Sequence, residues 1–324
     1  MNPDNPFPAP SKGATPRKVP RFGDWTFLAL VIAATLLVVG VMVTLVVVLL
    51  YGSRFTIQSL GFSFLYGTTW NPNNNVYGIL PFLDGTLITS AIALFLAVPL
   101  GLGAAIFLTQ HAPGWLRGPV GQLIELLAAI PSIVYGFWGL IFFVPIERNY
   151  TEPFLKTWLG WTGLFGGTPF GVDFLTAGII LSIMAVPTIT ALSRDAIAAV
   201  PRAQKEAAIS LGATDWEVTR RAVLPYARSG IVGGIVLGLG RALGETMAVV
   251  LTIGNTDKIG TSLFDSGETV SGGIALGFFE PTGPLNISAL LEAGLVLLAI
   301  TLAINLGART ILHRFQSGAA AGAE

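Results

Sequence analysis

Long apolar runs separated by short polar segments dominate the chain. Residues 25–51 contain no charged side chain. Five further apolar runs follow, at about 85–109, 119–145, 174–193, 231–253 and 287–306. A membrane-spanning helix needs about 20 mostly apolar residues, and each run is of that order. The pattern therefore predicts an all-α, polytopic membrane protein with six transmembrane helices.

The two ends of the chain differ from these runs. Residues 1–24 contain six prolines and four cations and offer little apolar surface, so they are predicted to form a disordered tail. The first apolar run is too long for the core of a signal peptide and is interpreted as an uncleaved helix. The predicted organisation is a tail (1–24), one transmembrane permease domain (25–314) and a second tail (315–324).

Composition supports the membrane assignment and excludes several kinds of site. Charged residues make up 11% of the chain, against about 25% in soluble domains, and the mean hydropathy is +0.71. The formal net charge is zero, which argues against a nucleic-acid partner. The absence of cysteine excludes disulfides and thiolate metal sites. His111 and His313 are interpreted as solvated interface residues, so no metal site is expected.

The distribution of cations predicts the orientation in the membrane. Thirteen lysines and arginines lie in the tails and in the two connections on one side, and four lie in the opposite loops. Cytoplasmic segments are enriched in these residues. Both termini and the segment 194–228 are therefore predicted to be cytoplasmic.

The segment 201–225 predicts two short helices outside the membrane. Pro201 suits the start of a helix over Arg202–Leu211, and Gly212 suits its left-handed end. Residues 214–217 (Thr-Asp-Trp-Glu) match a capping box that starts a second helix, and Pro225 is expected to end it. This pattern fits a solvated connector, a DNA-binding helix–turn–helix or a docking element, and the attachment of both ends to the membrane argues against DNA binding.

The same segment resembles the EAA loop of ABC-importer permeases. In those proteins Glu-Ala-Ala is followed by glycine four residues after the second alanine, and later by Ile-x-Leu-Pro. Here Ala222 replaces the isoleucine, a small departure. The resemblance implies an element that docks onto a separate ATPase subunit through the matching residues Glu206, Ala207, Ala208, Gly212, Leu224 and Pro225.

Arg241 and Glu245 are the candidate substrate residues. They lie in the fifth apolar run, where a charge near mid-bilayer is costly and is a functional candidate by default. Four residues apart on a continuous helix, they would face each other. An arginine can bind an oxyanion through two parallel hydrogen bonds, and a carboxylate can accept a hydrogen bond from protonated phosphate. The alternative is an ion pair that only fixes helix packing.

Glycines recur at four-residue spacing in this run, at Gly230, Gly234 and Gly238 and again at Gly240 and Gly244. The spacing is typical of close helix packing in lipid. No phosphate-binding loop of the G-x-x-x-x-G-K-[ST] type occurs, so the chain is not expected to bind ATP.

Four other charged residues lie near the ends of apolar runs. Glu125 and Glu292 are each expected to reach the membrane interface. Arg194 and Asp195 are interpreted as a cytoplasmic ion pair at the end of the fourth run.

Three blocks resemble the permease family of the phosphate-specific ABC importers, the PstC family: residues 240–248 (GRALGETMA), 130–136 (IPSIVYG), and 187–190 (PTIT) with 193–195 (SRD). The resemblance implies the type I, MetI-like permease fold in a bacterial inner membrane. It also places Arg241 and Glu245 on the phosphate pathway. The implied partners are a PstA-like permease, two PstB-like ATPase subunits that use ATP and Mg, and a PstS-like external phosphate-binding protein. No cofactor is expected on this chain.

Two other transport functions remain open at this point. One is a permease for a different oxyanion, such as sulfate or molybdate. The other is a secondary transporter in which Arg241 and Glu245 carry a coupled proton, an interpretation that the EAA-like segment disfavours. A membrane enzyme is remote because the apolar runs carry no catalytic constellation.

Overall fold

The computed structural model describes residues 22–320, and the side chains of residues 25–308 and 310. Two compact units divide the described chain, one ending at Val48 and the other beginning at Leu49. The helices are α1 (Phe22–Leu60), α2 (Ser63–Tyr66), α3 (Leu80–Ile106), α4 (Gly114–Ala129), α5 (Ser132–Trp138), α6 (Val144–Ile146), α7 (Glu152–Leu159), α8 (Phe174–Ala198), α9 (Arg202–Ser210), α10 (Asp215–Val218), α11 (Leu224–Gly244), α12 (Met247–Val250), α13 (Val270–Phe279) and α14 (Pro284–Ala320).

Helices of membrane length account for most of the described chain. Five are long and apolar enough to cross a bilayer: Trp25–Leu60, Leu80–His111, Phe174–Ala198, Asp215–Gly244 and Pro284–Ala308. A bent pair, Gly114–Ala129 with Ser132–Thr162, forms a sixth span if it crosses as one unit. The prediction of a polytopic helical protein is therefore confirmed over these residues.

The third predicted span is broken rather than continuous. Ile130 and Pro131 are both extended, and the arms on either side of them meet at 90°. A residue before proline is pushed out of the helical region, and proline lacks the N–H that a helix interior requires. Pro99 and Pro187, by contrast, lie inside the helices α3 and α8.

Residues 52–80, between the first two predicted spans, contain both helix and sheet. The first helix continues to Leu60, and a two-stranded antiparallel sheet follows, with β1 (Trp70–Asn71) paired to β2 (Val76–Tyr77). Asn75 supplies the left-handed residue of the turn, with φ +54°, a conformation that asparagine tolerates. Trp70 packs against Phe64, Tyr77 and Phe82, with ring centroids 4.7–6.3 Å apart. We call this sheet and the segments packed against it, residues 60–86, 268–274 and 285–297, the hairpin end.

α8 is the central helix of the larger unit. It packs along both α3 and α11, and its first turns are almost completely buried. Small residues allow the close approach to α3: Gly178 lies against Ile92, and Gly101 lies against Ile189. The side chain of Asp173 caps the helix by accepting a hydrogen bond from the Thr176 N–H at 2.9 Å.

The segment 147–173, between the third and fourth predicted spans, is helical in its first part. The backbone continues from α6 through a π-helical turn (Glu147–Thr151) into α7. The Glu152 carboxylate accepts a hydrogen bond from the Gly171 N–H at 3.2 Å. This contact connects α7 to the chain that leads into α8.

A buried carboxylate, Glu268, lies at the hairpin end just before α13. Its side chain is 8% exposed, and its backbone carbonyl lies directly against Gly85 of α3. Two residues later, the backbone N–H of Val270 donates a hydrogen bond to Thr86 Oγ1 at 2.9 Å. The backbone around Glu268 is therefore fixed against α3, which keeps the carboxyl group in the interior.

The predicted tails fall largely outside the described residues. Residues 1–21 and 321–324 are not described. The backbone of residues 22–24 begins α1, and that of residues 315–320 continues α14.

Candidate functional site

Local sequence signals shape the segment 201–225 as predicted. α9 follows Pro201, and Gly212 has φ +83°, which glycine adopts without strain. Thr214 Oγ1 accepts a hydrogen bond from the Glu217 N–H at 3.4 Å, and Glu217 Oε2 accepts one from the Thr214 N–H at 3.1 Å. This reciprocal pair is the predicted capping box. We call residues 201–225 the coupling loop.

The prediction that Pro225 ends the second helix is wrong. α10 continues through a π-helical turn (Thr219–Val223) into α11, and Pro225 lies in the first turn of α11. In the π turn the Leu224 N–H donates to the Thr219 carbonyl five residues back. The wider turn accommodates a proline that would break an ordinary α-helix. The fifth span therefore runs over Asp215–Gly244 rather than 231–253.

The matched EAA residues divide between an outer and an inner face. Glu206 and Ala207 are exposed, whereas Ala208 and Leu224 are half-buried. Ala208 and Leu224 pack against a buried cluster. Its members come from the ends of α3 and α8, from α10, from the π-helical turn and from the first turns of α11: Ala105, Ile197, Val200, Val218, Val223, Ala227 and Ile231. The inner face fixes the coupling loop to the transmembrane helices, and the outer face is left for a partner.

Three large apolar side chains near Glu206 were not identified from the sequence. Ile209, Leu211 and Trp216 are 54%, 90% and 57% exposed. The Glu206 carboxylate forms no ion pair within the described residues. Several exposed apolar residues within one short polar segment are typical of a protein-interaction site. The coupling loop thus has the composition of a docking surface.

Contrary to the prediction from the sequence, Arg241 and Glu245 are not one turn apart on a continuous helix, and no ion pair joins them. α11 ends at Gly244, and Glu245 is extended, with φ −71° and ψ 134°. Leaving the helix removes the one-turn spacing that would bring the two side chains together. No carboxylate oxygen of the described chain lies within 4 Å of the Arg241 guanidinium. Both side chains are half-buried.

Hydrogen bonds hold the backbone around the break at Glu245. The Glu245 carbonyl accepts a hydrogen bond from Ser271 Oγ at 2.6 Å. The Glu245 side chain accepts a second hydrogen bond, through Oε1, from the Thr246 N–H at 3.2 Å. Non-helical backbone at membrane depth occurs where it is enclosed by protein or lines a polar cavity. The break at Glu245 is enclosed by protein, because α13 lies against it and supplies the hydrogen bond from Ser271.

The two helix breaks lie close together. Tyr135, on α5 just after the bend at Pro131, interacts electrostatically with Arg241. Its hydroxyl donates to the Leu127 carbonyl at 3.0 Å, across the bend. Gly136 approaches Ala248 of α12 so closely that an added Cβ would lie 3.0 Å from its Cα. The blocks 130–136 and 240–248, distant in sequence, therefore form one site.

The glycine prediction holds for one part of α11 and fails for the other. Gly230, Gly234 and Gly238 contact α8 directly; at Gly234 an added Cβ would lie 3.0 Å from Leu192 Cβ. We call these three positions the glycine seam. Gly240 and Gly244 have nothing within 4 Å of such a Cβ. They leave space beside Arg241 instead of packing against a helix.

Two other predictions about charged residues need correction. Arg194 does contact Asp195 at 3.2 Å, but its closer partner is Glu125 of α4, at 2.9 Å. Glu125 is thus an ion-pair residue and not only an interface residue. Glu292, predicted to reach the interface, is 6% exposed because it lies among the buried residues Ala289, Leu290 and Ala293 of α14.

Within the described residues, no group of three or more His, Asp or Glu side chains could hold a metal ion. His111 is exposed, and the side chain of His313 lies outside the described part.

Comparison with known sequences gives a consistent set of similar proteins. Residues 97–317 match the family model described as "binding-protein-dependent transport system inner membrane component". The phosphate transport system permease protein PstC of Pasteurella multocida (strain Pm70) is 48% identical over 285 residues, covering 87% of this chain and 88% of that protein. The protein of the same name from Mesorhizobium japonicum is 45% identical over 311 residues, covering 95% of each.

A solved structure supports the fold independently. A bacterial ABC transporter involved in the import of the acidic polysaccharide alginate aligns with a TM-score of 0.60 at 16% identity, covering 91% of this chain and 97% of that one. At that identity the likeness concerns architecture alone. It confirms the predicted type I, MetI-like permease fold.

Proposed function

The chain belongs to the family of binding-protein-dependent transport system inner membrane components, and we propose that it is the transmembrane permease subunit of an ATP-driven importer of inorganic phosphate. The observation that carries this proposal is the 48% identity to a phosphate permease over 88% of that protein's length. As a permease subunit, the chain is not itself an enzyme. The multi-pass helices place it in the inner membrane.

Arg241 and Glu245 are the residues we assign to the phosphate pathway. A guanidinium with no carboxylate within 4 Å can give its hydrogen bonds to an incoming anion. Glu245, carried on extended backbone beside it, can accept a hydrogen bond from a phosphate that keeps a proton near neutral pH. Sulfate keeps none and would be repelled. The absence of a direct ion pair leaves both groups available to the substrate.

The coupling loop is the element we assign to the ATPase contact. Glu206 and Ala207 lie on its exposed face, with Ile209, Leu211 and Trp216 beside them. Ala208, Gly212, Leu224 and Pro225 shape the loop and join it to the transmembrane helices. One helical path continues from α10 to Arg241. Movement of the loop is therefore transmitted along that path to the pathway residues.

The complete transporter requires subunits that this chain does not supply. We infer a second, PstA-like permease, two PstB-like ATPase subunits that bind ATP and Mg, and a PstS-like phosphate-binding protein outside the cell. We infer that both termini and the coupling loop lie in the cytoplasm, because lysines and arginines are in excess on that side.

Labelled-phosphate uptake tests the assignment. Cells lacking this subunit, grown at limiting phosphate, receive the wild-type chain, Arg241→Gln, Glu206→Lys or the control Lys258→Gln, an exposed cation outside the coupling loop. We expect uptake with the wild type and the control, and little uptake with the other two. Copurification of the ATPase should persist with Arg241→Gln and weaken with Glu206→Lys. Full uptake with Arg241→Gln would refute the pathway assignment. Restoration of sulfate or molybdate uptake alone would leave the fold intact and replace the substrate.

A further inference from the structure

A cavity of about 420 Å³ opens beside the coupling loop. Four segments contribute to its wall: the turn after α3, the first turn of α4, the end of α8 and the start of α9. The polar and charged residues of its lining are Thr109, Gln110, Arg117, Arg194, Arg202 and Lys205. The cavity is distinct from the Arg241 site, since the two share no residue.

Cations dominate this cavity, and no carboxylate is among its lining residues. Arg194 is neutralised by Glu125 and Asp195. Arg117 donates from Nε to the Ala112 carbonyl at 2.8 Å, and Lys205 donates to Gln110 Oε1 at 3.4 Å. Neither contact supplies a negative charge.

Arg202 is the least engaged of these cations. It is exposed and forms no ion pair within the described residues. Three cations without a carboxylate within 4 Å thus converge on one concave space. Like charges held together repel one another, and a bound anion relieves that repulsion. Arginine forks and a lysine ammonium are the groups that proteins use to hold phosphate oxygens.

We propose that this cavity binds a phosphate group and that the bound group fastens α9 to the ends of α3 and α4. Arg202 and Lys205 reach the group from α9, and Arg117 reaches it from α4. The same chemistry is offered by inorganic phosphate and by the headgroup of an anionic phospholipid. Occupancy stiffens the attachment of the coupling loop, whichever of the two supplies the group. The site is separate from the transport pathway and does not depend on what the pathway carries.

The test measures binding to the assembled transporter in a background that carries Arg241→Gln, so that the pathway does not contribute. The triple variant Arg117→Gln/Arg202→Gln/Lys205→Gln is compared with the control Lys258→Gln, an exposed cation outside both the cavity and the coupling loop. One arm is equilibrium dialysis of labelled inorganic phosphate in a phosphate-free detergent. The other arm is native mass spectrometry after exposure to phosphatidylglycerol, with neutral diacylglycerol as the comparison.

We expect at least one of the two probes to bind the background and the control, and to be lost from the triple variant. Arg202→Gln alone removes no hydrogen bond or ion pair of the described residues, so we expect folding to be preserved. It should weaken binding about tenfold, since a charge-assisted hydrogen bond is lost. Binding of phosphate only, or of phosphatidylglycerol only, identifies the source of the group. Equal binding by the triple variant and the control, or no binding of either probe to the background, overturns the proposal. The second of those results would mean that a partner subunit satisfies the three cations.

Discussion

Glu268 makes the stability of the hairpin end dependent on pH. Burial, together with the smaller effect of the negative charge of Asp257, raises the pKa of this carboxyl group from an ordinary value of 4.5 to about 7. The folded protein therefore holds a proton between pH 4.5 and about 7 that the unfolded chain releases. Glu268→Gln replaces the group with one of similar shape that cannot ionise.

The sign and size of the effect follow from that difference in pKa. Because the native state binds the proton more tightly, stability declines as pH rises from 4.5 to about 7 and stays reduced above that. At about 1.4 kcal/mol per pH unit, the full effect is ~3 kcal/mol. Glu268→Gln should match the wild type below pH 4.5 and be more stable by up to that amount at pH 8.

The assay is thermal unfolding of the purified transporter from pH 4 to pH 8.5, followed by tryptophan fluorescence. Trp70 lies in the same region of the structure. We expect the wild-type melting temperature to fall by several degrees across this range, and the fall to be smaller in Glu268→Gln. Glu280→Gln, an exposed position, is the matched control and should follow the wild type. Parallel curves for the wild type and Glu268→Gln would refute the reasoning.

Two further substitutions test the packing and capping. Gly230→Ala places a methyl group against Ala196 of α8 and should destabilise the transporter by about 1–3 kcal/mol. The control Gly233→Ala has open space at its Cβ and should be neutral or slightly stabilising. Equal melting temperatures of the two variants would contradict the packing role of the glycine seam. Thr214→Ala removes the capping hydrogen bond and should cost about 1 kcal/mol. The expected signature is faster hydrogen exchange in the first turn of α10, restored by Thr214→Ser, and unchanged exchange would rule out the capping role.

Local chemistry made the coupling loop predictable. A proline before α9, a glycine that must adopt a positive φ, and the Thr214–Glu217 box each act over a few residues, so the sequence alone specifies them. The same holds for the long apolar runs, because burial in lipid requires length and hydrophobicity and little else.

The helix break at Glu245 could not be predicted in this way. Residues 246–253 remain apolar, so hydropathy continues past the point where α11 ends. What fixes the break is tertiary: the hydrogen bond from Ser271, which lies 26 residues further along the chain. The prediction from four-residue spacing that Arg241 and Glu245 face each other on one helix is wrong for that reason. The meeting of Tyr135 with Arg241 likewise depends on how two bent helices pack.

The glycine seam gives the path from Asp215 to Gly244 the mechanics of a lever. The seam, centred on Gly234, holds the middle of this helix against α8. At 1.5 Å per residue, Val218 lies about 24 Å from that point on one side, and Arg241 lies about 10 Å from it on the other. A tilt about the seam moves the two ends in opposite directions. The displacement of Arg241 is less than half of that of the coupling loop. A large movement of the coupling loop therefore produces a small movement of Arg241 in the opposite direction.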